Sequence, residues 1–528
     1  MKQMFADLKL PLFLVALMGL CAVLALPIMP VDETRYLSAA WEMWNGHSFI
    51  VPLLNGAPYS HKPPLLFWLI HASWALFGVN AITPRLIPGF FSMLSLMLVY
   101  RISLHLWPQE RKTAAYAALI LATSAIWDVW SVAIMFDMVL TFWILLGLLG
   151  TLRAAEQQRG GWFLLAAGVG GGLLAKGPAV LVYLLSIPLC RIWWDIRKTT
   201  PVRAKWYLGV LGAVALGFAI ALLWVIPAVM TGGETYRHEI LWGQTVDRMA
   251  SSFAHRRPLW WYLPIVPLFF FPWILFRPSF SKIQLKTADS GTRFCMIWIG
   301  LPLLIFSMIS GKQVHYLVPF IPAGALWIGR NIARAAEPAG RFSAKAIGVL
   351  FLLPGLAALI FPFTKIGAAW IDREAVSTWV ISIGLLSAGL PLLLPFRSTA
   401  GTARKLSLSM VLILVFALFE ANKCFLHGYD MREVAVFIKR EMDTGHGVAH
   451  LGKYHGQFHF LGRLNQPITV LQGDKASIYD FAARNPGTLF ISYKKEANDL
   501  PKRADIRLTR RYRGKTSIVL WRLPPEQP

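Results

Sequence analysis

Fourteen long apolar segments run through this chain of 528 residues. A helix needs about 20 apolar residues to cross the ~30 Å hydrocarbon core of a bilayer, and many of these segments reach or approach that length. Charged residues make up only 15% of the chain and hydrophobic residues 56%. The sequence therefore predicts a polytopic α-helical membrane protein and excludes a soluble enzyme, a disordered chain and a coiled coil. The segments are residues 10–29, 65–79, 86–106, 113–127, 138–152, 162–175, 179–194, 206–230, 259–276, 294–310, 316–330, 346–362, 376–396 and 406–422.

The positions of the basic residues predict how these segments are oriented, because Lys and Arg accumulate in cytoplasmic loops. Segment 65–79 is the weakest span, since it follows Pro63-Pro64 and contains His71. If it lies on the outer surface and the others span, 23 of the 52 basic residues fall in cytoplasmic loops, 12 in outer loops and 17 after residue 426. We therefore predict about 13 spans, a cytoplasmic N-terminus and an outer C-terminus. Residues 10–29 are then a retained signal anchor.

The net charge of +25 is explained by this topology, so no nucleic-acid partner is predicted. Nucleic-acid binding would require the basic residues to form a patch on a soluble face. The four cysteines are isolated, with no CxxC or Cys/His ligand spacing, so neither a disulfide framework nor a structural zinc is predicted. These cysteines are Cys21, Cys190, Cys295 and Cys424.

The composition changes after about residue 427. MREVAVFIKREM predicts an amphipathic helix, and VAHLG, ITVLQ, TLFISY and SIVLWRL predict short strands. We therefore predict a transmembrane domain over residues 1–426 and a small α/β domain over residues 427–528 on the periplasmic side. The stretch 502–515 holds seven basic residues, which form either a solvated face or a contact surface for anionic lipid headgroups.

Charged residues, which are rare in membrane-spanning segments, lie at the predicted outer ends of several spans. Asp32 and Glu33 follow the first span, where an acidic pair could also cap the helix predicted at 34–44. Lys62 lies beside a stiff Pro-Pro pair, although a lysine that snorkels to the interface is an alternative. Asp137 opens a span, and an acid in an apolar run indicates a functional site.

Further cations lie at outer positions where the topology rule predicts few of them. Lys176 stands at a helix break, where it could also serve as a helix cap. The loop 231–264 carries Arg248 among other basic residues. Lys312 and Tyr316 mark another outer boundary, where Tyr316 could be an interface anchor. Because Lys and Arg bind phosphate oxygens, these acids and cations together predict chemistry on a lipid-linked phosphate.

Several motifs occur in a fixed order along nearly the whole chain: Asp32-Glu33-Thr34-Arg35-Tyr36, His61-Lys62-Pro63-Pro64-Leu65, Arg85-Leu86, Asp137, Leu174-Ala175-Lys176-Gly177-Pro178, Asp247-Arg248 with His255 to Pro258, and Lys312 to Tyr316. With these motifs the chain resembles the GT-C glycosyltransferases of the aminoarabinose lipid A transferase family. It is more distantly similar to protein O-mannosyltransferases. The tail is also similar to the periplasmic domain of the first family.

This resemblance implies a GT-C fold, membrane-parallel helices in an outer loop over residues 30–85, and a place in the bacterial inner membrane. It implies a polyprenyl-phosphate sugar donor, membrane lipids as surroundings, and a lipid A-type, protein or other acceptor at the outer leaflet. From the residues and the resemblance together we predict Asp32, Glu33 and Asp137 as catalytic. We predict Lys62, Arg248, Lys312 and Tyr316 as donor-phosphate ligands. Further substrate contacts are predicted at Arg35, Tyr59, His61, Arg85, Lys176 and His255.

One departure from the family concerns a metal. Aminoarabinose transferases typically carry Glu directly before the lysine of the KPP motif, and this chain carries His61. A divalent metal at that position is therefore not supported, and no cofactor is predicted. A flippase or transporter is an alternative, but it would carry charges at the middle of several spans and an internal repeat. The marked residues instead lie at one boundary.

Overall fold

The computed structural model is largely helical. It describes residues 2–196, 204–240, 242, 257–280, 288–335, 340–364, 378–396, 398–424, 426–472, 475–494, 501, 504–512 and 516–524. The helices of the first half are α1 (Lys2–Ala25), α2 (Asp32–Asn45), α3 (Leu65–Phe77), α4 (Ile82–Leu106), α5 (Arg111–Leu121), α6 (Ala125–Val132), α7 (Asp137–Ala155), α8 (Gly161–Lys176), α9 (Ala179–Leu189), α10 (Arg191–Trp194), α11 (Ala204–Thr231) and α12 (Gly233–His238).

The second half continues this pattern and then changes to mixed structure. Its α-helices are α13 (Val266–Phe269), α14 (Ser290–Met308), α15 (Ile321–Ala333), α16 (Arg341–Ile360), α17 (Thr378–Leu393), α18 (Thr399–Cys424), α19 (Arg432–Asp443), α20 (His459–Gly462) and α21 (Lys475–Arg484). Short 3₁₀ helices are Leu259–Tyr262, Trp273–Leu275, Arg277–Phe280, Val314–Phe320, Phe361–Phe363 and Leu426–Tyr429.

The predicted polytopic helical fold is confirmed. Within the described residues, seven helices are long and apolar enough to cross a membrane. The count is eight if α5 and α6, which meet at a bend of 62°, form one broken span. Five further apolar helices are 10–17 residues long, α3 among them. The number of 13 spans remains a prediction.

Helices α7 and α8 approach each other closely because glycines line their contact. A Cβ atom added at Gly168 would lie 2.6 Å from the Cα of Gly147, and one added at Gly150 would lie 2.5 Å from the backbone N of Leu165. Small residues allow membrane helices to approach to backbone distance. The register is antiparallel, so the first residue of α7, Asp137, lies at the same end as the last residue of α8, Lys176.

By the contacts among its residues the chain divides into two compact units. The first unit comprises Met1–Leu24, Ser60–Leu66 and Ile82–Glu420, and the second comprises Ala25–Tyr59, Phe67–Ala81 and Ala421–Pro528. The second unit therefore groups segments of the first predicted outer loop with the C-terminal residues. The predicted domain boundary after residue 426 remains a prediction.

The C-terminal sheet of the second unit confirms the predicted small α/β domain. Its strands are β3 (Val448–Leu451), β4 (Thr469–Leu471), β5 (Leu489–Lys494), β6 (Asp505–Tyr512) and β7 (Thr516–Arg522). Their order is β4-β3-β5-β7-β6, with β3 parallel to β4 and β5, and β7 antiparallel to both of its neighbours. Val434 and Ile438 of α19 are buried in one core with Leu489, Ile491 and Leu520 of the sheet.

Edge strand β6 lies within the predicted basic stretch. Arg510 pairs with Glu433, and Arg507 Nη2 lies 2.7 Å from Asp505 Oδ2. Charged residues are common on edge strands, where they discourage pairing with another chain. Of the other basic residues in this stretch, Lys502, Arg503, Arg513 and Lys515 lie outside the described residues.

A short hairpin follows α2 in the second unit. Its strands are β1 (Leu53–Leu54) and β2 (Ala57–Pro58), and Asn55 and Gly56 form the turn with φ values of 57° and 76°. Two consecutive positive φ values are typical of the type I′ turn, which Asn-Gly favours. The Asn-Gly sequence therefore accounts for the turn, and Tyr59 follows directly after β2.

Candidate active site

A buried ion pair forms the centre of the first unit's candidate site. Lys176 Nζ lies 2.5 Å from Asp137 Oδ1, and the two side chains are 10% and 1% exposed. Helix α8 ends at Lys176 because Gly177 adopts φ 74° and ψ −156°, a conformation that favours glycine. Pro178 then prevents the helix from continuing. The Lys-Gly-Pro motif and the close α7–α8 contact therefore bring the Lys176 ammonium next to the Asp137 carboxylate.

Further cations and aromatic rings surround this pair. Lys176 Nζ lies 5.5 Å from the ring centre of Tyr316, whose ring lies 4.9 Å from that of His315. Lys62 Nζ lies 5.6 Å from the ring centre of Phe136. Lys176, Lys62 and His315 are all near enough to interact electrostatically with Asp137. These residues (Asp137, Lys176, Lys62, His315 and Tyr316) are called the Asp137 cluster below.

The charge balance of the Asp137 cluster favours an anion. Two lysines face one carboxylate, and His315 adds a positive charge when it is protonated. The second oxygen of the acid, Asp137 Oδ2, accepts no hydrogen bond from any described residue. Cations that are fixed in advance in a water-poor site stabilise developing negative charge more strongly than cations in water.

A second acidic group lies in the second unit at the start of α2. Arg35 donates a hydrogen bond to Asp32, and the Tyr36 hydroxyl lies 3.3 Å from Asp32 Oδ1. The Asp32 side chain is 50% exposed, so its carboxylate is open to solvent. Burial disfavours the charged form of Arg35, but the nearby Tyr59, Tyr36 and Asp32 raise its pKa. Asp32, Arg35, Tyr36 and Tyr59 are called the Asp32 cluster below.

Three predicted site residues are held by backbone groups. The Glu33 carboxylate accepts a hydrogen bond from the Met29 N–H at 2.8 Å, and Arg85 Nη1 donates to the Val132 carbonyl at 3.1 Å. Lys312 Nζ donates to the carbonyls of Ile309 at 2.6 Å and Arg257 at 3.1 Å. Burial lowers the pKa of Lys312.

These contacts tie neighbouring segments together, and the substrate roles of Glu33, Arg85 and Lys312 remain predictions. The His61 side chain is exposed, and its predicted contact with the substrate also remains a prediction. Arg248 and His255 lie outside the described residues.

Sequence reasoning missed Glu239, which accepts a hydrogen bond from Ser60. This contact joins the segment just before His61-Lys62 to the residues that follow α12. Sequence reasoning also missed Tyr183, whose hydroxyl donates to the Tyr316 carbonyl. Glu239 lies in the loop 231–264, which the sequence analysis singled out for its basic residues. No local sequence pattern shows that it contacts Ser60, 179 positions away.

The described residues contain no group of three or more His, Cys, Asp or Glu side chains placed to hold one metal ion.

Comparison with known proteins agrees with this fold. The profile of the dolichyl-phosphate-mannose-protein mannosyltransferase family matches residues 61–224, which include Lys62, Asp137 and Lys176. The crystal structure of ArnT from Cupriavidus metallidurans bound to undecaprenyl phosphate superposes with a TM-score of 0.76 at 17% identity, over 99% of both chains. The apo structure of the same protein gives a TM-score of 0.73 over 98% of both chains. The fold is thus that of the GT-C class of membrane glycosyltransferases.

Named relatives identify the family within this class. An undecaprenyl phosphate-alpha-4-amino-4-deoxy-L-arabinose arabinosyl transferase of Pseudomonas fluorescens is 30% identical over 68% of this chain and 67% of its own length. The corresponding transferase of Erwinia tasmaniensis is 30% identical over 60% of this chain and 58% of its own length. The chain belongs to this ArnT-like family of GT-C glycosyltransferases, which confirms the resemblance seen in the sequence.

Proposed function

We propose that the chain transfers a sugar from a polyprenyl-phosphate donor to a lipid A-type acceptor at the outer face of the bacterial inner membrane. The observation that carries this proposal is the Asp137 cluster, in which cations and one acid lie together at the ends of apolar helices. A phosphate linked to a membrane lipid suits such a place, because its tail can stay in the bilayer. The names of the relatives supply the undecaprenyl carrier.

In this proposal the bond between the anomeric carbon of the sugar and the phosphate oxygen breaks, and the acceptor oxygen bonds to that carbon. The polyprenyl phosphate leaves with an additional negative charge. Lys62, Lys176 and Tyr316 of the Asp137 cluster stabilise this charge, and Arg248 and Lys312 are further proposed ligands. Cationic side chains and hydrogen-bond donors that are fixed in advance can supply this stabilisation.

Asp32 is the proposed general base. A hydroxyl acceptor must lose its proton, and the half-exposed Asp32 carboxylate can accept it. Arg35 and Tyr36, which both contact Asp32, hold it in place. If the acceptor is instead a phosphate group, it is already ionised and Asp32 positions it. General-base catalysis contributes about 10²–10⁴-fold to a rate.

A protein acceptor is the second candidate, because the matched family profile is that of protein mannosyltransferases. Mass spectrometry of lipid A and of envelope glycoproteins, from a strain that lacks the gene and from its wild-type parent, separates the two. We expect a sugar to be lost from lipid A. A sugar lost from glycoprotein alone would assign the second function, and no loss from either would overturn the transferase proposal.

The phosphate-binding role is tested on purified protein. Lys62→Ala removes one charge-assisted contact, so transfer should fall by about 10- to 100-fold, which corresponds to ~1.5–3 kcal/mol. Lys453→Ala, at an exposed lysine of the C-terminal domain, is the control for loss of a lysine. Unchanged donor affinity in Lys62→Ala would remove this residue from the phosphate site.

A further inference from the structure

Three segments of the second unit are hydrogen-bonded to one another in a closed triangle. They are helix α2, the turn of the β1–β2 hairpin, and the C-terminal segment 459–468. Two of them belong to the first predicted outer loop, and the third lies more than 400 positions further along the chain. The first two carry the Asp32 cluster, with Asp32, Arg35 and Tyr36 on α2 and Tyr59 directly after β2.

The first side of the triangle joins α2 to the hairpin through Glu42. Its Oε1 accepts a hydrogen bond from the Asn55 N–H at 2.7 Å, and its Oε2 accepts one from the Gly56 N–H at 2.8 Å. Burial raises the pKa of Glu42, and these two N–H groups oppose the rise. The turn is thereby fixed to the C-terminal half of α2.

The second side joins the hairpin to the C-terminal segment through the Asn55 side chain. Its Nδ2 donates to the Ile468 carbonyl at 2.9 Å, and its Oδ1 accepts from the Ile468 N–H at 2.8 Å. The amide therefore satisfies both backbone groups of one residue. Only a side chain with a donor and an acceptor side by side can make this reciprocal contact.

The third side joins the C-terminal segment back to α2. The Phe460 N–H donates to Ser38 Oγ at 3.0 Å, and Trp41 Nε1 donates to the Leu464 carbonyl at 2.9 Å. The Arg463 guanidinium lies 4.0 Å from the Phe460 ring centre and 5.1 Å from the Trp41 ring centre. Each segment is thus bonded to the other two, and the Asn55–Ile468 side ties the hairpin to the C-terminal segment by two hydrogen bonds.

We propose that Asn55 is a positioning residue, through which the C-terminal domain fixes the hairpin and α2 so that Tyr59 and the Asp32 cluster keep their relative placement. In this proposal Asn55 acts through Tyr59 and α2 and not on the substrate itself. The inference rests on the proposed transferase function for its catalytic consequence. Its structural part, the bond between Asn55 and Ile468, is independent of which sugar or acceptor is used.

The turn offers a variant that separates the contact from the fold. Asn55→Gly keeps the positive φ, which glycine adopts freely, but deletes both bonds to Ile468. Asn55→Asp keeps the side-chain size and the acceptor for the Ile468 N–H while losing the donor. His47→Gly is the matched control, because His47 is the other non-glycine residue of this loop with a positive φ, 51°, and its side chain is exposed.

The experiment measures transfer and hydrogen–deuterium exchange on the full-length protein in detergent micelles. Misplacement of catalytic groups by about 1 Å costs up to 10²-fold in rate. We therefore expect kcat of Asn55→Gly to fall about 10- to 100-fold, with KM for the undecaprenyl-phosphate sugar changed less than threefold. Asn55→Asp should retain an intermediate kcat, and His47→Gly should equal wild type. Exchange should increase in residues 53–59 and stay unchanged in β3, β5 and β7.

The outcomes are distinct. Faster exchange at 53–59 without loss of kcat would show that the contact exists and positions nothing catalytic, which overturns the proposal. Unchanged exchange and unchanged kcat would overturn it too. A fall in kcat accompanied by faster exchange throughout the sheet would show general destabilisation, again against the proposal. If wild type itself transfers no sugar from the polyprenyl phosphate, the proposed function is what has failed, and the exchange data still test the Asn55–Ile468 contact.

Discussion

The Asp137 cluster and the Asp32 cluster both join an acid to a nearby cation, but they differ in burial. Asp137 is 1% exposed and meets Lys176 at 2.5 Å, whereas the Asp32 side chain is 50% exposed and meets Arg35. A charge buried without its partner costs several kcal/mol, while an exposed ion pair contributes about 0–1 kcal/mol. Loss of one member of the first pair should therefore destabilise its helices, whereas the second pair should contribute little to stability.

From this difference we propose separate tasks for the two acids. A buried, paired carboxylate holds Lys176 and its neighbours at fixed positions, which is the preorganisation that a phosphate site needs. A half-exposed carboxylate with two hydrogen-bond donors can exchange a proton with an incoming acceptor. Substitutions at the two positions should thus fail in different ways, one in turnover and the other in folding.

The largest effect is expected at Asp32. Asp32→Asn keeps the shape and removes the base, so transfer to a hydroxyl acceptor should fall by about 10²–10⁴-fold. The free energy of unfolding, measured by thermal unfolding of the purified protein, should stay within about 1 kcal/mol of wild type, because the lost ion pair is partly exposed. Near-normal turnover of Asp32→Asn would exclude Asp32 as the base and would remove the functional half of the comparison.

The next effect is expected at Asp137. Asp137→Asn leaves the Lys176 ammonium, 10% exposed, without its counter-charge, which should cost about 3–5 kcal/mol of unfolding free energy. Thermal unfolding measures this loss. The double variant Asp137→Asn with Lys176→Gln should regain much of the stability but not the activity, and a double-mutant cycle gives the coupling. Additive effects would show that the two side chains do not act as a pair.

Local sequence signals were sufficient for many elements of the fold. The Lys-Gly-Pro motif predicted the helix break at Lys176, and the predicted helix 34–44 is present within α2. VAHLG and ITVLQ contain β3 and β4, and TLFISY and SIVLWRL cover β5 and β7 except for Lys494 and Thr516. Strand β6 was not predicted, because its sequence DIRLTRRY is dominated by charge, and only its place at the sheet edge allows this.

Contacts distant in sequence could not be predicted. Asn55 meets Ile468 across 413 positions and Ser38 meets Phe460 across 422, and neither pair carries a local pattern. Lys312 was predicted as a phosphate ligand from its charge and boundary position. The sequence could not show that its ammonium contacts two backbone carbonyls, since that depends on how Arg257 and the residues that follow α14 come together.

A smaller effect, dependent on pH, is expected in the C-terminal domain of the second unit. Burial lowers the pKa of His450 and of His459 to about 4 each, below the ~6.5 of an exposed histidine. The unfolded chain therefore binds protons first as the pH falls. Stability should drop between pH 6.5 and 4 by up to about 3 kcal/mol per histidine, and no such loss should occur above pH 7.

Thermal unfolding of the full-length protein at pH 7.5, 6 and 5 measures this dependence. His450→Phe removes one titrating group, so the slope below pH 6.5 should become shallower than in wild type. A slope that is the same in both proteins would show that His450 is not the source. Stability that rises as the pH falls would contradict the neutral, buried state of both histidines.

The smallest effect is expected at Asp128, which is the matched control for Asp137. Both acids are in the first unit, and Asp128 is 0% exposed. Neither oxygen of Asp128 accepts a hydrogen bond from any described residue, so its removal leaves no cation without a partner. Asp128→Asn should therefore change the unfolding free energy by less than about 1 kcal/mol, within the range of substitutions that break no buried network. A loss as large as that of Asp137→Asn would contradict the ion pair as the cause of the sensitivity of Asp137. Burial alone, and not the ion pair with Lys176, would then explain the sensitivity of both positions.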